Sequence, residues 1–90
     1  ESPHQFTLKH HYPNPFPPAT TIGFEVPKAA EIRLAVYNII GQEVAVLAKG
    51  LYPPGIYEET FYGANLASGV YVYRLESENI LLTRKMILMK

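Results

Sequence analysis

Hydrophobic and polar positions alternate with a period of two along most of the chain. Between residues 70 and 75, Tyr71, Tyr73 and Leu75 share one face while Val70, Val72 and Arg74 share the other. This is the periodicity of a strand whose side chains point alternately to opposite sides of a sheet. β-Branched and aromatic residues suit such a half-buried surface, and a strand carrying so many large side chains needs a second layer to cover it. Just upstream, Ser68 can bond neighbouring backbone groups and Gly69 can take positive φ, so residues 66–69 form a loop feeding this strand.

The same alternation predicts a strand over 20–26, with Ile22, Phe24 and Val26 inward and Thr21, Gly23 and Glu25 outward, ended by Pro27. A second, over 31–37, turns Ile32, Leu34 and Val36 inward. Asn38-Ile39-Ile40-Gly41 reads as a tight turn with Gly41 in the left-handed region, leading into a strand over 42–48. Val44, Val46 and Leu47 break strict alternation there, which predicts a bulge; a short helix is the alternative. Residues 50–55 carry Gly at both ends and Pro53-Pro54 between, and are expected to be a loop. A strand over 56–62 follows, with Tyr57, Glu59 and Phe61 on one face, so Glu59 must lie near an edge or meet a cation. Glu78-Asn79 turns into a last strand over 80–89, in which Thr83, Arg84 and Lys85 interrupt two apolar ends.

At the start, Phe6 and Leu8 are spaced as on one face of a short strand, but residues 1–11 are weakly patterned and are expected to be linker entering a domain of residues 12–90. The chain begins Glu1-Ser2-Pro3, without Met or a signal peptide, so it is expected to be a piece of a longer protein. Four prolines between residues 12 and 18 keep that segment extended along a sheet edge, with Tyr12 and Phe16 expected to anchor in the core. Seven strands at roughly 8 to 12 residue spacing, with no convincing helix, predict an all-β, antiparallel sandwich.

Composition narrows the function more than the fold. Ninety residues allow one modest core, burying roughly 60 to 65 per cent of the unfolded surface. The 8 basic and 8 acidic residues cancel, which leaves no counterion-release term to hold nucleic acid. Absence of cysteine removes disulfides, thiolate catalysis and thiolate metal sites together. The three histidines, His4, His10 and His11, all fall in the entry segment, far from any nucleophile with an orienting acid, so catalysis is not expected. Nor do they stand at a recognised metal-ligand spacing, and no metal or other cofactor is expected. Among seven tyrosines, Tyr71 and Tyr73 are assigned to the core, leaving Tyr52 and Tyr62, in or beside loops, for a sugar-binding platform.

Five ordered blocks then carry a family resemblance: Tyr12-Pro13-Asn14-Pro15-Phe16; Thr20-Thr21-Ile22; Val36-Tyr37-Asn38-Ile39-Ile40-Gly41-Gln42-Glu43-Val44; Leu66-Ala67-Ser68-Gly69-Val70-Tyr71-Val72-Tyr73-Arg74-Leu75; and Thr83-Arg84-Lys85-Met86-Ile87-Leu88. Together the chain resembles the C-terminal sorting domain of type IX (Por) secretion in Bacteroidetes and relatives. The resemblance implies a seven-stranded immunoglobulin-like β-sandwich, covalently fused behind an N-terminal cargo domain. It implies passage through the periplasm, recognition by the outer-membrane secretion machinery, removal by a sortase-like peptidase, and a final place at the cell surface or outside the cell. It also implies that the signal lies in the last strands, so Gly69, Tyr71, Tyr73, Lys85, Met86, Leu88 and Lys90 are the candidate recognition residues. Two positions depart from the family: Glu59, where an apolar residue is usual, and Phe61, where tryptophan is frequent. The alternatives are a carbohydrate-binding or spacer sandwich of a multimodular glycosidase, using Tyr52 and Tyr62, and a scaffold domain similar to the immunoglobulin-like part of flagellar hook-capping proteins.

Overall fold

The computed structural model describes residues 3–13, 15 and 17–90. Seven strands follow one another in the chain: β1 (Thr7–Leu8), β2 (Ala19–Val26), β3 (Ala30–Asn38), β4 (Glu43–Tyr52), β5 (Gly55–Tyr62), β6 (Gly69–Ser77) and β7 (Ile80–Leu88). They form two sheets, a three-stranded one in the order β1-β2-β5 and a four-stranded one in the order β4-β3-β6-β7. Every pairing is antiparallel. The placement of β4 beside β3-β6-β7 parallels the extra strand that joins the second sheet in variable-type immunoglobulin domains.

The alternating patterns decide which face each sheet buries. Ile22, Phe24 and Val26 from β2 meet Ile32, Leu34 and Val36 from β3, Tyr73 and Leu75 from β6, and Met86 and Leu88 from β7. Each such side chain contributes about 1.5–3 kcal/mol relative to exposure, and together they form one continuous core. Two hydroxyls that enter it are satisfied: Ser77 Oγ donates to Glu31 O at 2.6 Å, and Thr20 Oγ1 to Pro13 O at 3.2 Å.

Local chemistry sets the connections. In the β3–β4 turn, Asn38 Oδ1 accepts from Ile40 N at 3.1 Å and Gln42 N at 2.9 Å, and Gly41 takes φ +88°, a conformation that costs glycine little. The irregularity expected in β4 is there: Leu47 and Val44 each fall between consecutive partners of β3, where the register shifts. Glu59 lies half-buried on β5, an edge strand of its sheet, which meets the first of the two conditions set for it.

Three expectations need correction. Residues 50–55 are mostly strand: β4 runs to Tyr52 and β5 starts at Gly55, leaving only Pro53-Pro54 as the corner. The reason is packing, because Tyr52 joins Phe24 and Tyr57 with ring centroids 5.8 and 4.9 Å away. Residues 7–11, expected to be linker, belong to the sandwich: Thr7 and Leu8 pair with Glu25 and Phe24, and Leu8 and His11 are buried. Tyr12 is not a core anchor. Its bridge to Thr21 places it with that outward residue, and it is 80% exposed. The anchor expected at Phe16 lies outside the described residues.

Candidate functional site

The residues singled out near the end of the sequence converge on the β6–β7 hairpin. Gly69 opens β6 at φ +150°, and the strand then runs between β3 and β7 as an inner member of the four-stranded sheet. Tyr71 and Tyr73 turn inward as their periodicity predicts. Their hydroxyls are not left unpaired: Tyr71 donates to Ala67 O and Tyr73 to Lys9 O, each at 2.7 Å. Burial raises the Tyr73 phenol above its ordinary value, since the phenolate would lose hydration.

β7 is the margin of its sheet, paired only with β6 on its backbone. Its inward row is Leu82, Arg84, Met86 and Leu88, and its outward row is Leu81, Thr83, Lys85 and Ile87. Met86 and Leu88 are fully buried, so their side chains hold the strand down and are not on offer to a partner of the folded domain. Lys85 is exposed, Ile87 is 41% exposed and Met89 59%. Across the ladder, Lys85 lies opposite Val72 and Ile87 opposite Val70, both half-buried on the outer face. The result is an apolar patch with one cation along a strand margin. Lys90 is exposed but engaged: its Nζ donates to Ala64 O at 2.7 Å and Leu66 O at 2.8 Å, and its backbone N to Ser68 Oγ at 3.1 Å. It fastens the end of β7 to the loop that feeds β6.

Toward β3 and β4 the outer face changes character. Arg74 sits 4.5 Å from the centre of the Tyr37 ring and 3.7 Å from Glu76. Arg33 bonds Tyr37 Oη at 3.2 Å and pairs with Glu43. The Glu43 hydrogen bond, followed by that to Tyr37, raises the Arg33 guanidinium further above its ordinary range. Arg33, Tyr37 and Glu43 are engaged with one another, whereas Arg74 keeps its Nε buried without a hydrogen-bond partner among the described residues.

A shallow concavity of about 560 Å³ near the Glu78 turn is lined by Glu31, Arg33, Lys49, Glu76 and Ser77 among others. Its one serine hydroxyl is committed to Glu31 O. Among the described residues no three His, Asp or Glu side chains group as metal ligands. His10 lies against the Arg84 guanidinium at 3.1 Å, and His11 packs edge-on to Tyr73 with centroids 5.7 Å apart. Tyr52 and Tyr62 do not form a platform. Tyr52 is part of the aromatic trio opposite Ala30, whereas Tyr62 is 74% exposed opposite Ala19 at the far end of β5, about 17 Å by strand rise from the Tyr57 that Tyr52 packs on.

One participant escaped the sequence reading: Arg84. The alternation Leu82, Arg84, Met86, Leu88 already places it on the core-facing row, and an arginine on such a row demands acceptors. That signal was legible; which acceptors it meets was not.

Comparison with curated proteins and with solved structures gives no match. A family model described as the secretion system C-terminal sorting domain matches residues 10–89, which takes in all five sequence blocks from Tyr12 to Leu88 and the strands from β2 onward. The chain therefore belongs to the secretion system C-terminal sorting domain family, and it serves as a C-terminal sorting signal for type IX secretion.

Proposed function

We propose that the outer-membrane secretion machinery reads this domain along the margin of β7, through its unpaired backbone edge and the outward side chains Lys85, Ile87 and Met89 with Val70 and Val72 beside them. Gly69, Tyr71, Tyr73, Met86 and Leu88 seat that margin from beneath, and Lys90 pins its end. The observation that carries this reading is the exposure of apolar side chains on an edge strand that retains an open backbone row. Natural edges are ordinarily blunted by charge, proline or cover. Strand addition explains why such an edge is kept, because main-chain hydrogen bonds give affinity for many unrelated cargoes while alternate side chains give specificity.

On this reading the domain is a portable label with no catalytic task. The covalently attached partner is an N-terminal cargo, carried through the periplasm and across the outer membrane. A sortase-like peptidase then removes the label and leaves the cargo at the surface or in the medium. The test is export of a folded reporter fused ahead of Glu1. Lys85→Glu with Ile87→Glu should cut export about tenfold or more, the factor that about 1.4 kcal/mol of lost binding produces, with an unchanged melting temperature. Export at the wild-type level from a folded double variant overturns the assignment to this margin.

A further inference from the structure

The entry of the chain is tied to its last two strands. Tyr73 and Arg84 lie directly opposite each other on β6 and β7, both on the inward face. From there they reach across the gap between the sheets to two consecutive carbonyls of the entry segment: Tyr73 Oη donates to Lys9 O at 2.7 Å, and Arg84 Nε to Leu8 O at 2.6 Å. The segment itself lies along β2, with Lys9 N donating to Gly23 O at 2.9 Å and Lys9 Nζ 3.1 Å from Glu25. Phe6 packs on the core, Leu8 is inside it, and a groove of about 310 Å³ runs between residues 5–8 and residues 82–84. β1 alone is two residues long, too short to hold by its ladder.

We propose that residues 5–11 are a strap that Tyr73 and Arg84 hold closed over the seam between the sheets, so that the entry of the domain is locked only while β6 and β7 are seated. Resting on the reading of β7 as the recognised margin, the proposal adds a consequence: a strand-adding partner that takes hold of β7 beside residues 82–84 competes with the strap and loosens the junction with the cargo. Coupling of this kind is reciprocal, so loosening the strap must in turn loosen β7. Tyr73 and Arg84 are positioning residues in this scheme, acting through the carbonyls they hold.

Limited trypsin digestion of the full chain tests it, because Lys9–His10 is a cleavable bond inside the strap and Lys28–Ala29, in the exposed β2–β3 turn, is an internal control. The wild type should be cut at Lys28 well before Lys9. Arg84→Met and Tyr73→Phe should each speed cleavage at Lys9 roughly tenfold, as expected when a local opening becomes more populated, with the Lys28 rate unchanged. Arg84→Lys, which keeps a donor, should restore part of the protection. Unchanged cleavage at Lys9, or acceleration of both bonds in equal proportion, overturns the strap. The reciprocal arm is amide exchange in Leu8→Ala: faster exchange across residues 82–86 than in β3 supports the coupling, and no change there overturns it. Neither readout involves export, so failure of the Ile87→Glu export test would remove the recognised margin and leave the strap standing, and the reverse.

Discussion

The two side seams of the sandwich are closed by opposite means. Where β4 turns into β5, the sheets are joined by the Pro53-Pro54 corner and filled by Phe24, Tyr52 and Tyr57, with Phe24 and Tyr57 stacked at 5.3 Å. Where β1 faces β7, no covalent corner exists, and closure depends on Tyr73 and Arg84 donating to Lys9 O and Leu8 O. The aromatic seam relies on buried area, which is insensitive to small shifts. The polar seam relies on directed hydrogen bonds, which are lost when either side moves. The seam at the Pro53-Pro54 corner is apolar; the one beside β7 is polar, and it is the one that opens in the proposed scheme.

Substitutions on the two sides should therefore differ in size and in kind. The largest effect belongs to the apolar side: Phe24→Ala should cost about 3–5 kcal/mol in denaturant unfolding, with all parts of the domain melting together. On the polar side, Arg84→Met should cost about 1–3 kcal/mol, and amide exchange should show the loss concentrated in residues 5–11. A uniform loss in both variants would erase the distinction between the seams. Alkali probes one tyrosine from each side. Burial raises both Tyr52 and Tyr73 above the usual phenol value, with Glu59 adding to the effect at Tyr52. A folded-state value above the unfolded one means that stability is complete below about pH 10 and is lost as the pH rises past it. Denaturant midpoints measured from about pH 8 to about pH 11 should fall at the alkaline end, and less steeply in Tyr73→Phe. The smallest effect is expected at Tyr57→Phe, which removes an exposed bond to Pro53 O of 2.6 Å and should change stability by less than about 0.5 kcal/mol.

What could be seen from the sequence follows the same division. Period-two alternation exposed the core faces of β2, β3 and β6, because a hydrophobic face is a local property of each strand. Asn38 and Gly41 announced their turn for the same reason. The strap was invisible, since Tyr73 and Lys9 are 64 residues apart and Arg84 and Leu8 are 76 apart, and no local pattern records which distant carbonyl a donor will meet. Tyr12 misled because its neighbours are prolines: a residue beside such a run looks like an anchor, yet its bridge to Thr21 turns it outward and buries His11 instead. The candidate recognition residues drawn from the family blocks all fall on or beside the β6–β7 hairpin, and burial divides them into those packed inside, such as Met86 and Leu88, and those left exposed, such as Lys85.

The most direct test of the central claim is the fate of a folded reporter carrying residues 1–90 at its C-terminus, expressed with a signal peptide in a host with working type IX machinery and in the same host lacking it. A domain that exists to be recognised predicts reporter outside the cell or on its surface only in the first host, and reporter held in the periplasm in the second. Equal amounts outside both hosts, or complete retention of a folded reporter in both, would contradict it.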